Sequence, residues 1–233
     1  MVILAKIPAT VKKVTDLSHD TKSFILETEQ PLKYQAGQFV MLNIPFKDTF
    51  VRRAYSIANH PENKQIELCL NYVKNGKASH FLFNIKPKET VLIDGPYGIF
   101  KLKQTPHDKL FICTGTGVAP LRAMIQELLA HKSKENITLV FGERTEAELL
   151  YRSEFEQLQK AHKNFKYIPT LSKPHKDWKG EKDYVQYVIQ KYINKAQTTD
   201  SYICGIKEMV EHVQANLLEF GVLKQNMFTE KFV

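Results

Sequence analysis

The spacing of hydrophobic and polar positions changes near the middle of the chain. Up to about residue 104, apolar positions form short runs that alternate with polar ones and are separated by turn residues. This pattern predicts a small six-stranded antiparallel β-barrel with one short helix, near residues 79–85. The predicted strands span residues 10–17, 23–29, 38–44, 53–58, 66–73 and 90–94.

After about Thr105, strand-length apolar runs alternate with segments of helical periodicity. Such alternation predicts right-handed crossovers and a parallel sheet. Strands are expected at 109–114, 137–141, 165–170, 201–204 and 226–229, and helices at 120–131, 146–161, 183–193 and 207–220, the last closed by Gly221. We therefore expect two domains, a barrel over residues 1–104 and an α/β parallel-sheet nucleotide-binding domain over residues 105–233.

A glycine loop follows the first strand of the predicted α/β domain. Gly115 and Gly117 let the backbone turn sharply, and Pro120 suits the first turn of the helix that follows. A strand, a glycine loop and a helix start direct unpaired N–H groups at one point, which forms an anion site suited to a pyrophosphate. A plain strand-to-helix turn of an α/β domain would show the same local pattern.

Positive charge is concentrated in the first half of the chain. The net charge is +8; residues 1–104 hold 15 Lys/Arg against 9 Asp/Glu, and residues 105–233 hold 18 against 16. A basic barrel could attract nucleic acid, an anionic cofactor or an acidic protein. The lysines are scattered and no nucleic-acid-binding motif is present, so we expect no nucleic-acid partner.

Cysteine positions and hydropathy restrict the other function classes. Cys69, Cys113 and Cys204 lie far apart in apolar runs, so neither a zinc site nor a four-cysteine iron–sulfur cluster is expected. Reduced, buried thiols indicate the cytoplasm. The apolar patch before Lys6 is too short for a signal-peptide core, and no later run is long enough for a membrane span.

The segment RRAYSIAN at residues 52–59 combines chemistry suited to a phosphorylated aromatic ligand. Arg53 can fork onto phosphate, and Tyr55 offers a flat ring for stacking. RxYS at residues 53–56 is followed in order by GxxS at 76–79, GPxG at 95–98 and GTGxAP at 115–120. This ordered set resembles the ferredoxin–NADP reductase superfamily over essentially the whole chain.

The resemblance implies an FAD site on the barrel. In the family, the arginine of RxYS binds the flavin phosphates, the tyrosine packs on the isoalloxazine and the serine lies at flavin N5. Arg53, Tyr55 and Ser56 would take these roles here. The other implied flavin-binding residues are Ala54, Asn71, Tyr72 and Val73, together with the second phosphate-binding segment, Gly76, Lys77, Ala78 and Ser79.

The resemblance also implies a site for NADH or NADPH in the second half. Thr114, Gly115, Thr116, Gly117 and Pro120 match the pyrophosphate loop. The segment Gly142-Glu143-Arg144 resembles the position facing the ribose region, with Gly142 and Arg144 as the binding candidates, and Ser172 and Lys173 correspond to the adenosine ribose site. Lys173, Lys179 and Lys182 could hold a 2′-phosphate, but the LSxPxxxWxG pattern is also common among NADH users. The choice between the two nucleotides therefore stays open, with a slight preference for NADH.

Three residues are implied at the reacting end of the site. Cys204 and Gly205 correspond to a CG pair beside the nicotinamide, although Cys204 could equally be a buried strand cysteine. Two prolines often follow this pair in relatives, whereas Ile206 and Lys207 stand here. Glu230 resembles an acid near flavin N5 and could relay a proton with Ser56 or simply face water. Ser56, Cys204 and Glu230 are thus the catalytic candidates.

Together, these features predict an NAD(P)H-dependent flavoprotein oxidoreductase. Because the cysteines cannot hold a cluster, electrons would leave to a separate acidic acceptor, such as a ferredoxin, a flavodoxin or an oxygenase component. A flavin reductase that releases free reduced flavin is the alternative enzyme. A subunit that binds flavin and nucleotide without turnover is the non-catalytic alternative.

Overall fold

The computed structural model describes residues 6–232, which form two six-stranded sheets. The first is antiparallel, with strand order β4-β3-β6-β1-β2-β5. A bridge between Ile57, just after β4, and Leu68 of β5 joins its two edges and closes the predicted barrel. Its elements are β1 Ile7–Asp16, β2 Thr21–Thr28, β3 Phe39–Phe46, β4 Thr49–Ser56, β5 Ile66–Asn71, α1 Lys77–Asn84 and β6 Thr90–Tyr97. Residues 1–5, with the N-terminal apolar patch, and residue 233 lie outside the described residues.

The second sheet is parallel throughout and confirms the predicted α/β architecture, with strand order β10-β9-β8-β7-β11-β12. Its strands are β7 Asp108–Thr114, β8 Ile137–Glu143, β9 Phe165–Leu171, β10 Glu181–Lys182, β11 Thr199–Ile206 and β12 Met227–Phe232. Its helices are α2 Val118–Ala130, α3 Arg152–Ala161, α4 Val185–Val188 and α5 Lys207–Glu219. Because the strands are parallel, the loops after β7, β8, β9 and β11 meet at one edge, where ligands bind in open α/β sheets.

Two predicted helices are shorter than expected. The helix predicted over 146–161 begins only at Arg152, because Tyr151 adopts a left-handed conformation with φ of 55° that interrupts the helical path. The helix predicted over 183–193 is one α-helical turn continued as a tighter 3₁₀ turn, Ile189–Tyr192. The Gly221 prediction is confirmed: its φ is 86°, and its N–H donates to the carbonyl of Leu218 at the end of α5.

The two sheets share part of their core. Ala36, Ala58, Cys69 and Phe100 of the barrel belong to the same buried apolar cluster as the inner face of α2. Gly37 has a φ of 93°, and an added Cβ would overlap the Phe100 carbonyl and the end of the Met124 side chain on α2. The barrel therefore rests closely on α2, and a cleft opens where the strand ends of the two sheets face each other.

Candidate active site

A cleft of about 1310 Å³ separates the barrel from the carboxyl edge of the parallel sheet. One wall comes from β4, β5 and the start of α1, and the other from the loops after β7, β8, β9 and β11. The volume exceeds the roughly 300–1,000 Å³ of sites for a single drug-sized ligand. The cleft is therefore large enough for two extended ligands that meet end to end.

The end of β4 supplies the first wall with groups of different polarity. Arg53 is exposed at the rim, and Tyr55 is half-buried, with burial raising the pKa of its hydroxyl to about 12. Ser56 is buried, and its Oγ donates a hydrogen bond to Oε2 of Glu230 over 3.3 Å. A cation, an aromatic face and a hydroxyl thus follow one another from the rim inward.

The start of α1 is an open cradle for a phosphate. Among the described residues, no side chain caps this helix, and its first turn holds no acidic residue. The backbone N–H groups of its first turn lack intrahelical acceptors, because helix geometry leaves them unpaired. Ser79 Oγ accepts the Val73 N–H at 3.0 Å, which folds the preceding loop over the helix start. These donors, with Lys77 and Arg53 nearby on the same wall, fit the phosphates of FAD.

The two glycines of the loop on the opposite wall are required for different structural reasons. Gly115 has a φ of 55° and open space around it, so it meets the cleft with bare backbone. Gly117 packs against the Cys204 backbone, where an added Cβ would overlap the carbonyl. Thr114 and Thr116 line the cleft beside Gly115, whereas Pro120 is buried in the first turn of α2. This loop fits the pyrophosphate of a nicotinamide nucleotide.

Glu143 lies in the segment that the resemblance assigns to the ribose region, although the sequence analysis selected only its neighbours Gly142 and Arg144 as binding candidates. Its carboxylate Oε1 accepts the Gly115 N–H at 3.0 Å, within the anion-binding loop itself. Burial raises its pKa to about 8, against the lowering effect of the Gly115 hydrogen bond, and the charges of Glu148 and Asp20 raise it further. A signal was present in the sequence, since an acidic residue ending the strand next to a glycine loop is a known ribose-facing position.

The carboxyl of Glu230, on β12, lines the cleft and faces Ser56 of the barrel wall. Burial raises its pKa to about 7, and the hydrogen bond from Ser56 opposes this rise. Its neighbour in the sheet register is Cys204 of β11, whose side chain is fully buried and whose pKa burial raises well above the usual thiol value. The Cys204 thiol therefore packs beneath the cleft wall, whereas Gly205 forms part of the wall itself.

The second wall carries charges of both signs, with the carboxylate of Asp183 as well as the cations of Arg144 and Lys173. Arg144 and Lys173 line it as expected, beside Gly142 and Ser172. Tyr184 and Gln186, from the loop and turn after β10, join them there. Lys182 and Lys179 are not among the residues that form the cleft wall.

Most of the sequence-predicted residues line this cleft; the exceptions are Tyr72, Gly117, Pro120, Lys179, Lys182 and Cys204. The sequence predicts a turn between the first two strands but does not predict that it brings Ser18, Asp20 and Thr21 to the cleft. No local pattern indicates this position, because the packing of the barrel against the α/β domain places the turn near Glu143. Other wall residues that the sequence analysis did not select include Phe39, Leu150, Asp183, Tyr184, Gln186, Ile206, His212 and Phe232.

Two further structural findings concern metals and membranes. Within residues 6–232, no group of three or more His, Cys, Asp or Glu side chains is arranged to hold a metal ion. In the same range, no helix combines the length and apolar character that a bilayer crossing requires.

Comparison with known proteins places both halves in characterised families. Residues 8–102 match the oxidoreductase FAD-binding domain family, and residues 111–215 match the oxidoreductase NAD-binding domain family. A ferredoxin–NADP reductase B from Sorangium cellulosum is 33% identical over 85% of this chain and 85% of its own length. The chain belongs to the ferredoxin–NADP reductase family. The resemblance inferred from the motif order is confirmed.

Other family members extend the comparison. A phenol hydroxylase P5 protein from Acinetobacter pittii is 33% identical over 97% of this chain, which spans 65% of that protein's length. The crystal structure of the Amycolatopsis cytochrome P450 reductase GcoB superimposes with a TM-score of 0.91 at 28% identity, over 98% of this chain and 70% of that one. The two-domain reductase fold is thus shared along nearly all of this chain.

Proposed function

We propose that this chain is an FAD-dependent NAD(P)H oxidoreductase that passes electrons from a reduced nicotinamide nucleotide to a separate acceptor. The observation that carries the proposal is one cleft with two phosphate cradles on opposite walls, the start of α1 and the loop at Gly115. Two anionic tails held on facing walls would bring their ring systems together between the walls. Bound FAD would supply the redox chemistry, accepting two electrons together and releasing them singly or as a pair.

The residues of the first wall divide the work of holding a flavin. Arg53, Lys77 and the N–H groups at the start of α1 would bind its phosphates, and Tyr55 would pack against its ring system. Ser56 Oγ lies deepest and is oriented by Glu230. Because the pKa of Glu230 is about 7, its Oε2 can hold or release a proton near neutral pH.

The second wall would hold the nicotinamide nucleotide. Thr114, Gly115 and Thr116 would bind its pyrophosphate, and Gly205 would leave space for the nicotinamide beside β11. Arg144 and Lys173 offer cations for a 2′-phosphate, while Glu143 offers an acceptor for a ribose hydroxyl. NADH and NADPH are therefore both proposed donors, to be separated by their dissociation constants.

The acceptor is proposed to be an acidic electron-transfer protein. The support is the basic barrel, with 15 Lys/Arg against 9 Asp/Glu in residues 1–104, since opposite charge speeds encounter between partners. The Sorangium relative is a ferredoxin–NADP reductase, which also favours a ferredoxin as the partner. A ferredoxin, a flavodoxin or an oxygenase component would each satisfy this chemistry.

The test is anaerobic titration of the FAD-reconstituted protein with NADH and, separately, with NADPH. The proposal expects at least one nucleotide to bleach the oxidised-flavin absorbance band. If FAD binds but neither nucleotide reduces it, the non-catalytic alternative is favoured and the proposal fails. If the protein binds neither FAD nor FMN, both the oxidoreductase function and the non-catalytic flavin-binding function are excluded.

A flavin reductase is the second candidate function, and the solvent exposure of a proposed phosphate-binding residue favours it. Arg53 is solvent-exposed, so the flavin tail would lie at an open rim from which it could dissociate. Loss of flavin during gel filtration, combined with turnover of added riboflavin or FMN, would support this function. Retention of FAD through the column would support the acceptor-protein function instead.

The compartment is proposed to be the cytoplasm. The support is that Cys69, Cys113 and Cys204 are free and buried, as expected for a protein in a reducing environment.

A further inference from the structure

A buried arginine on α2 crosses from the α/β domain into the barrel. Arg122 is only 8% exposed, and its Nη1 donates to Oε2 of Glu67 on β5 at 2.8 Å. The same nitrogen donates to the carbonyl of Ala58 at 2.8 Å, just beyond the end of β4. One guanidinium group therefore contacts β5 and the segment that directly follows β4.

The rest of the guanidinium is held by its own domain. Nε and Nη2 donate to the carboxylate of Glu154 on α3 at distances of 2.8–3.0 Å. The ring of Tyr151 lies 4.2 Å from the guanidinium carbon, a cation–π contact. Tyr151 is also the left-handed residue that starts α3, so the break in the predicted helix places its ring there. These contacts fix both the position and the plane of the Arg122 guanidinium group.

On the barrel side, both carboxylate oxygens of Glu67 accept hydrogen bonds. Its Oε1 accepts hydrogen bonds from the Tyr151 hydroxyl at 2.9 Å and from Ser23 Oγ at 2.5 Å, while Oε2 accepts from Arg122. Tyr151 therefore makes a second crossing from the α/β domain to the same carboxylate. Burial of a charged pair is weak evidence for stability, because desolvation offsets much of the attraction. A better-attested role of a buried ion pair is to favour one relative arrangement of the packed elements over the alternatives.

A third crossing lies one helical turn along α2. Gln126 Oε1 accepts the backbone N–H of His60 at 2.9 Å, and Gln126 Nε2 donates to Glu154 at 2.7 Å. Residues 122 and 126 share one face of the helix because they are four positions apart. Contacts at two heights on one helix restrict rotation of the barrel about α2 as well as its distance from α2.

The crossing contacts connect directly to both cleft walls. Ala58 lies two residues beyond Ser56, and Cys69, two residues beyond Glu67 on β5, lines the cleft. On the other side, α2 continues from the glycine loop, and its Ala119 also lines the cleft. We propose that Arg122 is a positioning residue that sets the separation and angle of the two cofactor-binding walls. This inference rests on the proposed function for its consequence, but its geometric part stands independently.

The consequence is a slower reaction at unchanged cofactor affinity. Arg122→Lys keeps the charge but replaces a planar fork by a point charge that cannot contact Glu67, Ala58 and Glu154 together. Glu67→Gln keeps the shape and removes the charge. A misplacement of about 1 Å can reduce a rate by about a hundred-fold, so we expect flavin reduction at saturating nucleotide to fall about ten- to a hundred-fold. The dissociation constants for FAD and nucleotide should change by less than about three-fold, because neither phosphate cradle is altered.

The experiment compares these variants with Arg152→Lys. Arg152 also binds two carboxylates, Glu146 and Glu156, but both belong to its own domain. Stopped-flow flavin reduction gives the limiting rate and the nucleotide dissociation constant separately. In the cofactor-free protein, spin labels at Lys13→Cys on β1 and Lys160→Cys on α3, both exposed, report the distance between domains. The three native cysteines are buried and leave the labels specific.

We expect Arg122→Lys and Glu67→Gln to broaden or shift the interdomain distance distribution and lower the limiting rate, with Arg152→Lys unchanged in both. Unchanged distances with a rate within two-fold of the parent would overturn the inference. So would a rate that recovers fully at higher nucleotide or FAD concentration, since the network would then serve only stability or affinity. If Arg122→Lys fails to fold, Gln126→Leu tests the outer crossing, with an expected rate loss of about five-fold for one hydrogen bond. Failure of the parent to reduce flavin would sink the proposed function, while the label distances would still decide the geometric claim.

Discussion

Two carboxyl groups in the cleft, Glu143 and Glu230, differ from ordinary surface acids. Burial raises the pKa of Glu143 to about 8 and that of Glu230 to about 7. Both are therefore at least partly protonated at neutral pH. The walls that would receive two anionic ligands thus carry less negative charge than the sequence suggests. Each carboxyl also keeps one defined hydrogen bond, from the Gly115 N–H or from Ser56 Oγ.

The raised pKa of Glu143 predicts a pH-dependent stability. In the unfolded chain this carboxyl ionises near pH 4.5, and in the folded chain near pH 8, so stability falls as pH rises through this window. Glu143→Gln keeps an acceptor for Gly115 and removes the ionisation. We expect nearly equal stability at pH 4.5 and a variant more stable by up to about 5 kcal/mol at pH 9, measured by thermal unfolding. Glu62→Gln, at an exposed barrel site, is the control; a pH profile for Glu143→Gln identical to the parent would contradict the assignment.

A second residue-scale prediction separates Ser56 from Cys204. Ser56→Ala removes the hydroxyl that meets Glu230 at the cleft wall, so flavin reduction should slow by about ten-fold or more. Cys204→Ala removes a fully buried sulfur beneath the wall, and should lower stability by about 1–3 kcal/mol while changing the rate less than Ser56→Ala does. Rates from stopped-flow reduction and free energies from urea unfolding provide the comparison. A larger rate loss in Cys204→Ala would restore the thiol as a catalytic candidate.

The structural elements show which local patterns were informative. The strand at 109–114, the glycine loop and the helix after it appear almost as predicted, because glycine and proline restrict the backbone locally. The helix predicted from residue 146 fails at Tyr151, whose left-handed conformation is supported by contacts with Arg122 in its own domain and with Glu67 of the barrel. A long-range contact here overrides a local helical pattern.

The glycine loop allows a matched test at the scale of one element. Gly115→Ala places a methyl group in open space and introduces only the strain of a positive φ, about 1–2 kcal/mol. Gly117→Ala forces a methyl group against the Cys204 carbonyl and should cost about 3 kcal/mol or more. Urea unfolding of the two variants measures the difference. Equal losses would show that the loop does not pack on β11 as described.

At the scale of the whole molecule, one apolar cluster and one ionic network join two domains of unequal charge. The barrel carries most of the positive excess, and the cleft lies between the barrel and a nearly balanced α/β domain. Arg122, Tyr151 and Gln126, which make the three crossings, are not among the residues that line the cleft. A ligand that enters the cleft therefore does not have to replace these domain contacts.

The charge distribution predicts salt-dependent electron transfer. Reduction of an acidic ferredoxin or flavodoxin by the FAD-loaded protein should slow by about ten-fold or more between low salt and about 0.5 M salt, because screening removes the steering attraction. Reduction of a neutral quinone under the same conditions serves as the control and should change little. Rates for the acidic protein that do not respond to salt would argue against a basic docking face.

The sequence alone determined the order of elements, the barrel and parallel sheet, and most of the cleft residues. It did so because glycine loops, helix starts and strand periodicities depend on residues close together along the chain. Only the tertiary structure brought Asp20 near Glu143, separated the buried Cys204 thiol from the cleft surface and joined Arg122 to Glu67. The residues in these contacts are separated by tens of positions along the chain, or they are buried by several elements at once. The energy of each side chain therefore depends on distant neighbours, which a local sequence pattern cannot identify.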